Sequence, residues 1–243
     1  MVQRDKIVKD INELLNVALT PEHNGLQVEG KTEIKKIVFG VSATMELFKA
    51  AKAAGADMVM THHGLIWNTA ENITGVFGRR VAFLIKNDIN LVSYHLPLDR
   101  HPVLGNNAGL AKLMGLKNIK PFGAYHGIDI GFMGEVNPAR DMESFCALLN
   151  GECVICGRNE IRRVAVVSGG AHDMLGQAIN AGVDLFVTGS RDEYVLEQCR
   201  EAGLNFIAMG HYNSEVFGIK ALMEYIRKHY KVETEFIDIP NPF

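Results

Sequence analysis

Gly55-Ala56-Asp57-Met58-Val59-Met60-Thr61-His62-His63-Gly64 carries in ten residues the unit from which this chain is built. A glycine stops one element, and three apolar residues then form a short run of the kind that suits a buried strand. Two histidines stand where that strand ends. Set 127 positions later, Gly182-Val183-Asp184-Leu185-Phe186-Val187-Thr188-Gly189 repeats the order, with Ala51 facing Ala178 and Ala54 facing Ala181.

The flanks repeat as well. Ile34–Ser42 is β-rich, and Thr44 caps a helix over Met45–Ala54 that Gly55 ends. In the second half, Val164–Val167 reads as a strand and Asp173–Ala181 as a helix ended by Gly182. Downstream, Ile89–Tyr94 is a strand running into His95-Leu96-Pro97-Leu98-Asp99. Asn205–Gly210 runs into His211-Tyr212-Asn213-Ser214-Glu215. Both are a strand followed by His-x-x-x-carboxylate. Between and around these units, residues 4–18, Arg79–Asn87, Asn107–Met114 and Met142–Leu149 read as helices, the last capped by Asp141. Tyr125–Val136 reads as strands. The expectation is an α/β protein of two duplicated lobes, 1–125 and 126–243, with mixed, largely parallel sheets, the C-terminal helix packing on the first lobe. Ligands of such sheets bind beyond the carboxyl ends of the strands.

Composition bounds the function. The 243 residues are 47% hydrophobic and 22% charged, the balance of a globular chain, and the formal charge of −3 argues against a generally basic, phosphate-tracking surface. No apolar run approaches the length of a membrane span, and the amphipathic, partly acidic N-terminus is unlike a targeting peptide, so a cytoplasmic protein is expected. Cys153 and Cys156 form a single C-x-x-C followed by a turn, with no second pair to complete a zinc site. Cys146, Cys153, Cys156 and Cys199 are therefore read as reduced structural thiols.

His62, His63, His95 and His211 all follow buried strands, and Asp99 and Glu215 lie four residues beyond two of them. Neutral imidazoles, carboxylates able to bridge two cations, and rigid strands behind them are what a metal centre requires. Adjacent histidines on a regular strand point to opposite faces, so the pair needs either a bend near Gly64 or two metal ions. His95 is the member that orients another group or relays protons. His23, His101, His126, His172 and His229 lack this arrangement and are read as structural or surface residues. Trp67 lines the site mouth or packs in the core. Ser168-Gly169-Gly170, between a strand and a helix, is either an anion-holding turn or a plain tight turn. Arg79-Arg80 and Arg162-Arg163 read as solvated element edges.

Asn24-Gly25-Leu26-Gln27-Val28, Thr61-His62-His63-Gly64, Ser93-Tyr94-His95-Leu96-Pro97-Leu98-Asp99, Gly105-Asn106-Asn107 and Gly210-His211-Tyr212-Asn213-Ser214-Glu215 together resemble the GTP cyclohydrolase I type 2 / Nif-three-like family. The resemblance runs from about residue 24 to 218. It implies two intertwined α/β lobes with a dinuclear metal cleft between them, in the minimal form without an inserted domain. By the same resemblance the metal ligands fall on His62, His63, Asp99, His211 and Glu215, and His95 lies in the same motif; in a hydrolase it is the candidate general acid/base. It also implies a toroidal hexamer built from dimers. Three positions depart from the family pattern: Ser190 stands where an acidic residue is frequent, Tyr194 where a histidine is, and His23-Asn24 where Asp-Asn is usual.

The function expected is a dinuclear-metal-dependent hydrolase, GTP cyclohydrolase-like or acting on another nucleotide or phosphoester, through a metal-activated hydroxide. Zn, Fe, Mn, Co and Ni all suit three imidazoles and two carboxylates. The alternative is a metal-loaded oligomeric scaffold that binds partners, nucleic acid among them, without turnover.

Overall fold

The structure is a computed structural model and describes residues 1–67 and 72–242. The chain divides into two compact units, Met1–Leu98 with Ile219–Pro240, and Asp99–Gly218. In chain order the first unit holds β1 (Val2–Gln3), α1 (Arg4–Leu15), β2 (Gly25–Val28), β3 (Glu33–Ile34), β4 (Lys36–Ser42), α2 (Met45–Ala53), β5 (Met58–His63), α3 (Gly75–Lys86) and β6 (Asn90–Ser93). Helix α4 (Leu96–Arg100) leads into the second unit. That unit continues with α5 (Asn106–Met114), β7 (Lys117–Tyr125), β8 (Ile128–Arg140), α6 (Met142–Leu149), β9 (Glu152–Val154), β10 (Ile161–Val167), α7 (Leu175–Ala181), β11 (Leu185–Thr188), α8 (Tyr194–Ala202), β12 (Asn205–Ala208) and α9 (His211–Ser214). Helix α10 (Val216–His229) and β13 (Glu233–Phe236) return the chain to the first unit.

The division expected at 125/126 falls inside the β7–β8 hairpin, whose strands pair from Tyr125↔Ile128 back to Lys117↔Glu135. The first unit is completed instead by β13, added parallel to β4. The parallel pairing of β13 with β4, nearly 200 positions apart, is a long-range choice that local periodicity does not encode.

Each unit is built on a mixed sheet. The first has strand order β13-β4-β5-β6-β2 and the second β7-β8-β10-β11-β12-β9. The central triplets β4-β5-β6 and β10-β11-β12 are parallel, while β2, β8 and β9 pair antiparallel to their neighbours. Strand register accounts for the core. Val38, Val59 and Leu91 are direct partners and pack with Leu47, Phe48 and Ala51 of α2 and Leu84 of α3. In the second unit Val166, Val187 and Ile207 are partners and pack with Leu110 and Met114 of α5 and Phe145 of α6. Each such side chain, fully buried, contributes about 1.5–3 kcal/mol. The helix ends follow the sequence signals. Thr44 accepts the amide of Leu47 and Asp141 that of Ser144, each satisfying a backbone donor that the first turn leaves unpaired.

The repeat extends to polar detail at the amino ends of the strands. Asp57 accepts the amides of Lys35 and Lys36 and the ammonium of Lys31; Asp184, 127 positions on, accepts the amides of Arg162 and Arg163 and the guanidinium of Arg158. The Asn90 side chain bonds Gly30 N and Asp57 O, and that of Asn205 bonds Gly157 N and Asp184 O. Two long-range networks of the same form are strong support for duplication. They also define the register: Asn205 follows Asn90 by 115 positions, whereas His211 follows His95 by 116. The two His-x-x-x-carboxylate sets are alike in kind but one residue out of step.

One cysteine expectation is corrected. Cys146 and Cys153 are joined in a disulfide, with Cα atoms 6.2 Å apart, while Cys156 and Cys199 are free thiols. Helix α6 ends at Asn150 in the left-handed conformation, which folds β9 back beside the helix's last turn and brings the two sulfurs together.

Candidate metal centre

In the first unit the parallel strand β5 lies between β4 and β6 and delivers His62 and His63 at its carboxyl end. The strand stays regular through His63, which pairs with Ser42, so no bend precedes the second histidine. The two rings nonetheless come together: His62 is fully buried and His63 half-buried, with ring centroids 4.7 Å apart. His95 joins them from the end of β6. His62, His63 and His95 each offer a ring nitrogen, and these atoms all lie within 4.8 Å of one another.

The hydrogen bonds assign proton positions. His62 Nδ1 is 2.9 Å from the carbonyl oxygen of Tyr94, which can only accept. Nδ1 therefore carries the proton, and in the neutral ring this leaves Nε2 as the lone-pair nitrogen, the form a metal takes. His95 Nδ1 is 2.9 Å from Glu22 Oε1, and the His95 amide donates to Asn24 Oδ1. Burial pushes the Glu22 carboxyl up, but the His95 hydrogen bond and charge and the Leu96 amide outweigh it and hold it below the ordinary value. Trp67 is half-buried and packs edge-on to His95 at 5.0 Å, with His63 at 6.4 Å, so it belongs to the site rather than to the core. Gln27 fixes the loop after the histidines, accepting the amides of Leu65 and Ile66.

In the second unit Asp99 is buried and its Oδ1 accepts from Asn106 Nδ2 at 2.8 Å and Ser168 Oγ at 2.9 Å. His211 Nε2 lies 3.2 Å from Glu215 Oε1, one turn apart, with Glu215 almost wholly buried. Gly169 makes room for that carboxylate. Its φ is +70°, and a Cβ there would stand 2.3 Å from Glu215 Oε1. Two amides of the Ser168–Gly170 turn are committed within the protein: Ser168 N donates to Asn107 Oδ1 and Gly169 N to Ser214 Oγ.

Among the remaining histidines, His101 accepts the amides of Val103 and Leu104, His126 occupies the β7–β8 turn at φ 49°, and His229 bonds the Tyr225 carbonyl; these are structural. His23 is exposed. His172 differs, with Nδ1 2.8 Å from Ser190 Oγ. The sequence alone assigns no role to Glu22 or Asn106, and marks Ser168 only as part of a turn, not as a partner of Asp99. Asn106 lies within a quoted motif, but nothing in the local pattern marks Glu22.

The Duf34/NIF3 (NGG1p interacting factor 3) pattern matches residues 2–242. The chain belongs to this family. It is 42% identical over 219 residues to the "GTP cyclohydrolase 1 type 2 homolog" of Archaeoglobus fulgidus, covering 90% of this chain and 89% of that one. Two solved structures cover it end to end: protein ybgI, of unknown function, with TM-score 0.92 at 37% identity, and TTHA1606 from Thermus thermophilus, with TM-score 0.91 at 31% identity. The Duf34/NIF3 relatives thus share this mixed α/β architecture over their whole length, and this member carries His, Asp and Glu groups suited to metal. Among the described residues no helix is long and apolar enough to cross a membrane.

Proposed function

We propose that this protein is a dinuclear-metal-dependent hydrolase acting on a nucleotide such as GTP or on another phosphoester, with His62, His63, Asp99, His211 and Glu215 as ligands of two divalent cations. The observation that carries the reading is the His62–Tyr94 hydrogen bond, which commits Nδ1 and leaves the ring in the ligating tautomer inside a cluster of three histidines. The donor set fits such ions: imidazole nitrogens and carboxylates suit Zn, Fe, Mn, Co and Ni. When bound, the cations would supply Lewis acidity and bring the pKa of a water toward neutrality.

The chain's own residues do the rest. Ser168 and Asn106 hold the Asp99 carboxylate, and hydrogen bonds of this kind fix the direction in which a ligand presents its lone pairs. Glu215, buried and contacting His211, is suited to bridging. Glu22 keeps the proton on His95 Nδ1, so the other ring nitrogen is the one that accepts or delivers a proton as general acid/base. The family resemblance further supports a toroidal hexamer of dimers, which light scattering of the purified protein would test, and the amphipathic, partly acidic N-terminus supports a place in the cytoplasm, which fractionation would test.

The test is bound metal per chain and turnover of GTP and of a generic phosphodiester, for the wild type and Glu215→Gln. The amide removes a charge that balances the cations, so both metal and rate should collapse while the fold persists. Full activity in Glu215→Gln at unchanged metal content would end the reading. A metal-replete wild type with no turnover on a broad nucleotide panel would favour the non-catalytic scaffold.

A further inference from the structure

We infer that Ser190, oriented by His172, is a substrate-positioning residue of the His211–Glu215 centre and donates a hydrogen bond to a phosphoryl oxygen of the bound molecule. The inference rests on the proposed function for the presence of that molecule. Register supplies the first argument. Thr61 and Thr188 are equivalent, each buried and each at the last paired position of its parallel neighbour ladder. Two residues beyond Thr61 stands His63; two residues beyond Thr188 stands Ser190. Ser190 thus takes the place in the second repeat that a candidate ligand takes in the first, and a hydroxyl there is suited to holding substrate rather than metal.

Proximity to His211 is the second argument. A Cβ on Gly189, the residue before Ser190, would lie 2.8 Å from His211 Cα, and one on Gly170 would lie 3.5 Å from His211 Cε1 and 3.8 Å from Ser190 Oγ. The imidazole and the hydroxyl therefore border one position that Gly170 leaves unfilled, within reach of a single ligand atom. The third is orientation. His172 Nδ1 is 2.8 Å from Ser190 Oγ, both residues are half-buried, and Tyr194 stands 6.1 Å from the His172 ring. A His172 Nδ1–H donating to Oγ turns the serine proton outward, as a donor to an oxygen acceptor.

The test is titration calorimetry of the metal-loaded protein with inorganic phosphate and with GTP, after metal per chain has been measured. Ser190→Ala should weaken binding about ten-fold or more, and His172→Ala by a similar factor. The double variant should lose little beyond either single one, because the two act as a unit. Ser190→Thr and His172→Asn, which keep the hydroxyl and a donor, should restore most of the affinity at unchanged melting temperature. Loss with both probes points to the phosphoryl group of a nucleotide; loss with phosphate alone points to a free anion. Unchanged affinity in Ser190→Ala, additive losses, or no saturation of the wild type by either probe overturns the assignment. A wild type that holds no metal overturns the proposed function instead, and comparing variants at equal metal content still decides Ser190.

Discussion

The carbonyl oxygen of Tyr94 lies 2.9 Å from His62 Nδ1 and so fixes which nitrogen of that imidazole is protonated. The two residues are 32 positions apart and meet because β5 and β6 are parallel neighbours, with the Tyr94 amide returning a bond to Thr61 O. Nitrogen-15 NMR of the histidine rings should therefore show His62 as the Nδ1–H tautomer, with Nε2 of the unprotonated type. The opposite tautomer in the metal-free protein would contradict the assignment.

Gly169 is the position at which one methyl group should damage the centre. In Gly169→Ala the new Cβ meets Glu215 Oε1 at 2.3 Å and must adopt a left-handed φ. Metal bound per chain should fall by an order of magnitude or more, with stability lowered by about 1–2 kcal/mol. Metal content equal to that of the wild type would show that Glu215 is not needed where it stands.

Asp57→Asn should destabilise the protein by about 1–3 kcal/mol in denaturant melts, because the carboxylate serves two amides and the Lys31 ammonium. Asp184→Asn should do the same through Arg158, Arg162 and Arg163. For Asp57, burial raises the pKa, but the Lys31 hydrogen bond and the amides of Lys35 and Lys36 outweigh it, so the folded value lies below the ordinary one. Its contribution is complete above the unfolded value of about 3.9 and is lost as pH falls through the lower folded value. Acid melts of wild type and Asp57→Asn should converge there; a constant difference at every pH would refute the linkage.

Thiol labelling of the native protein should modify Cys156 first. Cys199 is fully buried, and burial, with Cys156 adding to it, pushes its thiol up to about 11, where little thiolate exists near neutrality. Mass mapping after brief iodoacetamide treatment checks this. Equal labelling of Cys199 would show that the α8 face opens readily.

Much of the architecture was legible locally. The strand–helix–glycine–strand order of Ile34–Thr61 and Val164–Thr188, the Thr44 and Asp141 caps, and histidines and carboxylates stationed after strands are all short-range signals. Amphipathic period, capping chemistry and glycine stops act within a turn or two of the chain. Helix α8 and the edge strands β2, β9 and β13 leave little trace in the sequence, because short segments carry little periodicity.

The order of amino acids encodes the duplication and the kinds of residue that its strand ends present. Which partners those residues meet is set by the folded chain. Glu22 reaches His95 from 73 positions away and Ser168 reaches Asp99 from 69. Cys153 finds Cys146 rather than Cys156, and the boundary between the units falls at 98/99 rather than within the β7–β8 hairpin. The reason is physical: strand and helix formation is governed by neighbours in the chain, whereas hydrogen-bond partners, tautomers and carboxylate orientation are set by which strands lie side by side. That pairing is fixed by burial of the whole apolar surface, not by any single segment of it.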